Sequence, residues 1–360
     1  MKVVEERLGP ERISSKDTEY RNDDVVYQAY ALQRVSRTFA LTIPMLPLPL
    51  RTMVGNAYLL CRIIDTIEDS TALSLTEKEH YSQEFIGLQK GMGDPALFAT
   101  ELCGRLAGET SKSECELVRN TTRVLRLTKS FPRPQQASIQ RCVEIMADGM
   151  VKFQRLQQDG GLRDLHDLDG YCYCVAGVVG EMLTDLFCEH SPEFQGSRVE
   201  LNRLAVSFGQ ALQMTNILKD HWDDRSRRIS WIPSSILAET PREDEPSKEN
   251  GSHRVTEREI RELVGLTYTH LEAALRYVML IPRSERGIRR FCLSALGMSI
   301  LTLRKIAKNP GYHSAGEVKI SRSSVKGTVA LAQSIGQSNL LLKTAFAFVT
   351  ARLPRAHHAN

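Results

Sequence analysis

The chain has 360 residues, 42% of them hydrophobic and 25% charged, enough for a large core in one big domain or two medium ones. Its formal charge is only +4 and the basic residues are scattered, which argues against nucleic acid as a partner and leaves any anionic ligand to a local cluster. Eight cysteines without a CxxC pair fall mostly in apolar helical stretches, a pattern of free thiols that predicts a reducing, cytoplasmic location.

Residues 1–24 are densely charged and lack the apolar run of a secretory signal. From there apolar residues recur at helical spacing, while short alternating strand-like runs are scarce. The pattern predicts an all-α protein with helices near 24–36, 50–69, 76–90, 111–130, 135–158, 168–189, 200–222, 255–281, 284–308 and 324–352. Breaks coincide with proline or glycine clusters: "PMLPLPL", "GMGDP" at 91–95, "SFPRP" at 130–134 and "QDGG" at 158–161. The polar stretch 239–254 reads as an exposed loop, and no linker separates domains, so one domain over 25–353 with a tail at 354–360 is expected. No window approaches the ~18 uncharged apolar residues that suggest a membrane span. The last helix, "NLLLKTAFAFVTARL", is amphipathic and suits packing on the core or peripheral contact with a bilayer surface.

Two apolar helices end in carboxylates. In "RIIDTIEDS" the spacing places Arg62, Asp65, Glu68 and Asp69 on one face. In "QALQMTNILKDHWDDRSRR" Gln213, Asn216, Asp220, Asp223 and Asp224 form a second stripe. Burying uncompensated carboxylates is costly, so two such faces suggest a shared cation. Oxygen donors without His or Cys point to Mg²⁺, which keeps several waters and commonly bridges carboxylates to substrate phosphates. Arg37, Arg62, Arg225, Arg227 and Arg228 lie near these faces, and guanidinium forks suit phosphate oxygens. Together they predict an apolar helical cavity with a diphosphate clamp at its rim, with Arg62 as a substrate grip rather than a neutraliser. For Arg225 and Arg227, pairing with the aspartates is an equally good reading.

At these residues the sequence resembles the squalene/phytoene synthase family of head-to-head, all-α isoprenoid synthases. The resemblance is carried by "SRTFALTIPMLP" (36–47) with "YLLCRIIDTIED" (58–69), by "YCYCVAGVVGEMLTDLF" (171–187), and by "QMTNILKDHWDD" (213–224) followed by "RRISWIP" (227–233). It implies a helical bundle around a central apolar cavity. It also implies Mg²⁺, with Mn²⁺ as a substitute, held by Asp65, Glu68 and Asp69 and by Asn216, Asp220, Asp223 and Asp224. Arg37, Arg62, Arg228, Gln213 and Asn216 become diphosphate contacts. Tyr171 matches a tyrosine assigned to proton transfer, and Phe39, Phe208 and Phe291 are candidates for stabilising cationic intermediates through their ring faces. The substrate implied is farnesyl diphosphate, and the chain is expected to be a monomer.

"DTIED" and the segment "EVKISRSSVKG" (317–327) resemble the squalene branch, in which basic residues here, Lys319, Arg322 and Lys326, contribute to binding NADPH. Two departures leave an unreduced product open: Tyr173 stands where that branch usually has His, and the basic residues are spread out. A non-catalytic prenyl-lipid-binding or assembly relative is the remaining alternative, although the four principal aspartates and Arg62 are retained. Gly177 and Gly180 fall inside a helical pattern, which suits close approach by either a substrate or a neighbouring helix.

Overall fold

The computed structural model describes residues 15–36, 38–227, 229–237 and 255–355, with side chains from Asn22 onward. Among these residues there is no strand. Helix α1 (Ser15–Val35) starts inside the charged N-terminal stretch, nine residues before the periodicity becomes apolar. After the single turn α2 (Phe39–Thr42) comes α3 (Leu48–Asp69), entered through Pro47 and Pro49, which pre-set the backbone of its first turn. Leu59, Leu60, Ile63, Ile64 and Ile67 of α3 are fully buried, while Asp65, Glu68 and Asp69 fall on its less buried side.

Helix α4 (Leu75–Gln89) opens with a capping box formed by Ser74 and Glu77. Helix α5 (Pro95–Leu106) is absent from the sequence expectation, because "GMGDP" reads as a break. Asp94 is in fact its N-cap and Pro95 its first residue, and Gly91 and Gly93 take positive φ in the turn before it. The predicted helix 111–130 is two helices, α6 (Lys112–Arg119) and α7 (Thr121–Lys129), joined at Asn120 with neither proline nor glycine to mark the joint.

Helix α8 (Arg133–Gln158) packs against α3 and α4. Next, α9 (Leu165–Cys172) passes through a wide π-helical turn, Tyr173–Gly177, into α10 (Val178–His190). This continuous run, Leu165–His190, is long and apolar enough to cross a membrane, which differs from the sequence expectation; half of its most apolar window is buried in the bundle. The long helix α11 (Arg198–Ser226) runs through the centre and packs against α10, the π turn, α12 (Glu257–Leu280) and α13 (Arg286–Lys308).

Glycines make the tightest of these contacts. A Cβ on Gly209 would lie 2.1 Å from the Ala176 carbonyl oxygen, and one on Gly180 would lie 2.3 Å from that of Ala205. Gly180 is therefore explained by a neighbouring helix, and Gly177 sits against Tyr173 and Val206 in the same way.

The chain closes with α14 (Ala315–Val318), α15 (Arg322–Ile335) and α16 (Asn339–Thr350), so the predicted helix 324–352 is broken at Gly336. Arg289, fully buried on α13, binds this corner by donating to the Gly336 carbonyl at 2.7 Å and to Asn339 Oδ1 at 2.7 Å. All eight cysteines are free thiols, seven of them buried. The loop 239–254 lies outside the described residues, as do residues 1–14 and 356–360.

Candidate active site

The C-terminal ends of α3 and α11 face each other, joined by one arginine. Arg227 donates to Asp224 at 2.7 Å and reaches Asp69 at 3.8 Å, so a single guanidinium bridges the two acidic stripes. Of the two readings of Arg227, the aspartate pairing is the one present; Arg225 lies over the Trp222 ring at 5.6 Å. Arg37 and Arg228 lie outside the described residues.

On the α3 side, Asp65 keeps 29% of its side chain open yet is crowded on all others. Burial pushes its carboxyl up to about 7 against the opposing pull of Arg62, and Asp69 and Glu114 add to the rise. Glu68 is likewise pushed up to about 7, by burial first and then by Asp69. Two residues from other helices fix it: Gln154 of α8 donates to its carboxylate at 2.7 Å, and Lys78 of α4 donates to its backbone carbonyl at 2.5 Å. Burial pulls the Lys78 ammonium down, with Glu68 and Asp69 opposing. The missing counter-charge of "RIIDTIEDS" thus comes from Lys78 and Arg227. Arg227 is one of the arginines that the sequence places near these faces, whereas Lys78 comes from α4, so periodicity could not reveal it.

Arg62, read from the sequence as a substrate grip rather than a neutraliser, is already engaged by acids. It pairs with Glu114 of α6 and lies 3.7 Å from Asp65, although its Nε is buried and makes no hydrogen bond. On the α11 side, Lys219 sits between Asn216 Oδ1, at 2.9 Å, and Asp220, at 3.1 Å. Burial raises the Asp224 carboxyl, with Arg227 opposing and Asp220 and Asp69 adding to the rise. Asp223 is exposed and Gln213 half-buried on this stripe.

Tyr171 lies beneath both faces. Its ring stacks on Trp231 at 3.7 Å and 5°, with Phe153 edge-on at 5.5 Å. Burial, reinforced by the charges of Glu68 and Asp224, raises its phenol well above the ordinary value. Trp231 also bounds a small apolar recess, about 10 Å³, shared with Leu168, Met214, Ile217 and Leu263. That is roughly the room for one water. Phe39 packs on Tyr58 at 5.2 Å, and Phe208 sits edge-on to Tyr277 at 5.5 Å. Phe291 is buried on α13. Tyr173 points instead to the surface pair of Arg141 and Glu181.

Among the described residues no three His, Cys, Asp or Glu side chains converge tightly enough to hold a metal ion unaided. The donor set nevertheless fits a hard divalent cation shared with an anionic ligand: all donors are oxygens, and three carboxyls are raised by burial, with neighbouring acids adding to the rise. Lys319, Arg322 and Lys326 are exposed along the α14–α15 segment. Ser321, Ser323 and Ser324 cluster their hydroxyls around the start of α15 beside them. Cations and hydroxyls at a helix start fit a phosphate-bearing cofactor.

The sequence model of the squalene/phytoene synthase family matches residues 32–324. The chain belongs to that family. Among curated relatives, the squalene synthase of Cyberlindnera jadinii is 29% identical over 284 residues, covering 78% of this chain and 61% of its own length. That of Solanum lycopersicum is 31% identical over 278 residues, covering 76% and 62%. The chain therefore spans about three fifths of the length of these family members. The complex of TcSQS with ligand BPH1237 superposes with a TM-score of 0.72 at 24% identity, covering 94% of both chains. A dehydrosqualene synthase with ligand gives 0.56 at 18% identity, covering 88% of this chain and 98% of its own. The all-α isoprenoid synthase fold is common to them.

Proposed function

We propose that this protein is a squalene synthase that condenses two farnesyl diphosphates head-to-head and reduces the product with NADPH. The observation that carries the reading is the Asp69–Arg227–Asp224 bridge, which brings both acidic motifs of the family together near Tyr171. Asp65, Glu68 and Asp69 on α3 and Asn216, Asp220, Asp223 and Asp224 on α11 would hold Mg²⁺. The bound metal supplies charge that stabilises a departing diphosphate.

The chain's own residues do the rest. Arg62, on exchanging Glu114 for the ligand, and Gln213 and Asn216 through their amides would contact diphosphate oxygens; Arg37 and Arg228 keep the grip assigned by resemblance. Tyr171, held neutral by burial, keeps a proton at its phenol oxygen beside the acids. It can pass protons to or from a diphosphate oxygen without a strong base near an allylic cation. Apolar walls exclude water from that cation, and the recess beside Trp231 must widen to admit a prenyl chain. Lys319, Arg322 and Lys326 would bind NADPH, which supplies hydride for the last step. We place the catalytic unit over 25–353 as a cytoplasmic monomer, with α16 resting on a membrane.

Incubation with farnesyl diphosphate and Mg²⁺ should release diphosphate, and NADPH should shift the C30 hydrocarbon to a reduced mass. No diphosphate release defeats the synthase reading. An unreduced product with NADPH present assigns a dehydrosqualene-type reaction instead.

A further inference from the structure

One buried cluster lies outside the chemistry above and touches both of its halves. Tyr312, 1% exposed, comes from the loop before α14 and inserts beneath α11. Its hydroxyl donates to the Leu218 carbonyl and lies 2.7 Å from His221 Nδ1. Its own carbonyl accepts from Trp222 Nε1 at 2.5 Å. The rings of His221 and Tyr312 meet edge-on at 4.9 Å, and His313 packs on Trp222 at 5.4 Å. His221 and Trp222 stand between Asp220 and Asp223 in sequence, so the loop is bolted to the turn of α11 that carries the second acidic motif.

From Tyr312 the chain runs as a stiff strap to the basic segment. Glu317 accepts from the backbone N–H of His313 at 3.1 Å, from Ser314 Oγ at 3.2 Å and from Asn309 Nδ2 at 3.3 Å. Lys305 of α13 donates to the Lys319 carbonyl at 2.6 Å. Six residues separate Tyr312 from Lys319.

We infer that Tyr312, with His221 and Trp222, is a positioning latch that sets the NADPH-binding strap, 313–326, against the diphosphate-binding face of α11. The inference rests on reading Lys319, Arg322 and Lys326 as NADPH contacts. Placement of the nicotinamide relative to the bound intermediate then depends on a buried side chain outside both proposed ligand sites.

The test uses Tyr312→Phe, which keeps the ring and removes the hydroxyl, and Tyr312→Ala. NADPH binding to the full chain is titrated through the cofactor's own fluorescence, and hydrogen–deuterium exchange is followed across the strap. The expected result is NADPH affinity about tenfold weaker in Tyr312→Ala, with an intermediate value for Tyr312→Phe. Exchange should rise over 313–326 and not over α3, and NADPH-independent diphosphate release should stay within about twofold of the unmodified chain. Unchanged affinity and exchange in both variants overturn the latch. So does an equal loss of diphosphate release and NADPH binding with protection falling everywhere, which marks plain core packing. If the unmodified chain releases diphosphate but binds no NADPH, the reductive reading itself fails, and the latch with it.

Discussion

Asp65 and Glu68 make the site's electrostatics testable one residue at a time. Each carboxyl rises to about 7 in the folded chain from an ordinary value near 4. The fold then binds more protons than the unfolded chain between those values, so these groups stabilise it fully below about pH 4 and cease to do so as pH climbs to about 7. In metal-free buffer the melting temperature should fall across that interval, and Asp65→Asn should flatten the fall. Identical slopes would remove Asp65 from the strained set. At Tyr171, substitution by Phe preserves the stack on Trp231 while deleting the proton. Turnover should drop by at least ~100-fold, the range for a general acid–base group, with the helical circular dichroism unchanged; retained turnover would reduce Tyr171 to a packing ring. The acids and Tyr171 were legible in the sequence because they share helical faces or a family motif. Lys78, Glu114, Gln154 and Trp231 were not, because each reaches the site from a different element.

Between elements, the decisive contacts are backbone against backbone. Gly209 lets α11 lie on the π turn, and a methyl group there would overlap the Ala176 carbonyl, which cannot move without disturbing both helices. Gly209→Ala should therefore cost about 2 kcal/mol or more, within the usual range for overpacking, seen as a lower midpoint in urea. An unchanged midpoint would show that the helices can part cheaply. Helix existence was readable from the 3.6-residue period almost throughout, but helix ends were less so. Asn120 turns the chain between α6 and α7 without a breaker, and Asp94–Pro95 begins a helix where the same residues usually signal a loop. Punctuation by capping is local hydrogen bonding, which composition does not report.

For the molecule as a whole, α16 presents an exposed apolar face. Leu340, Leu341 and Phe348 are 71%, 50% and 83% exposed, while Leu342 and Phe346 anchor the opposite side. Lys343 and Arg352 flank the apolar face, and no acid occurs from 338 to 355. This suits an anionic bilayer. Phe348→Glu with Leu340→Glu should weaken sedimentation with phosphatidylserine vesicles about tenfold, whereas equal binding would exclude this helix as the contact. The all-α architecture and the meeting of two acidic ends were both predictable, but the stacking of Trp231 on Tyr171 was not, since side-chain placement depends on packing rather than pattern. The π turn at Tyr173–Gly177 also sets an angular phase. A π turn closes one residue later than an α-helical turn, so deleting one residue there would close the bulge and alter the π turn's packing against Gly209 of α11, next to Tyr171. A one-residue deletion could thus silence the site while leaving every one of its side chains unaltered in the sequence.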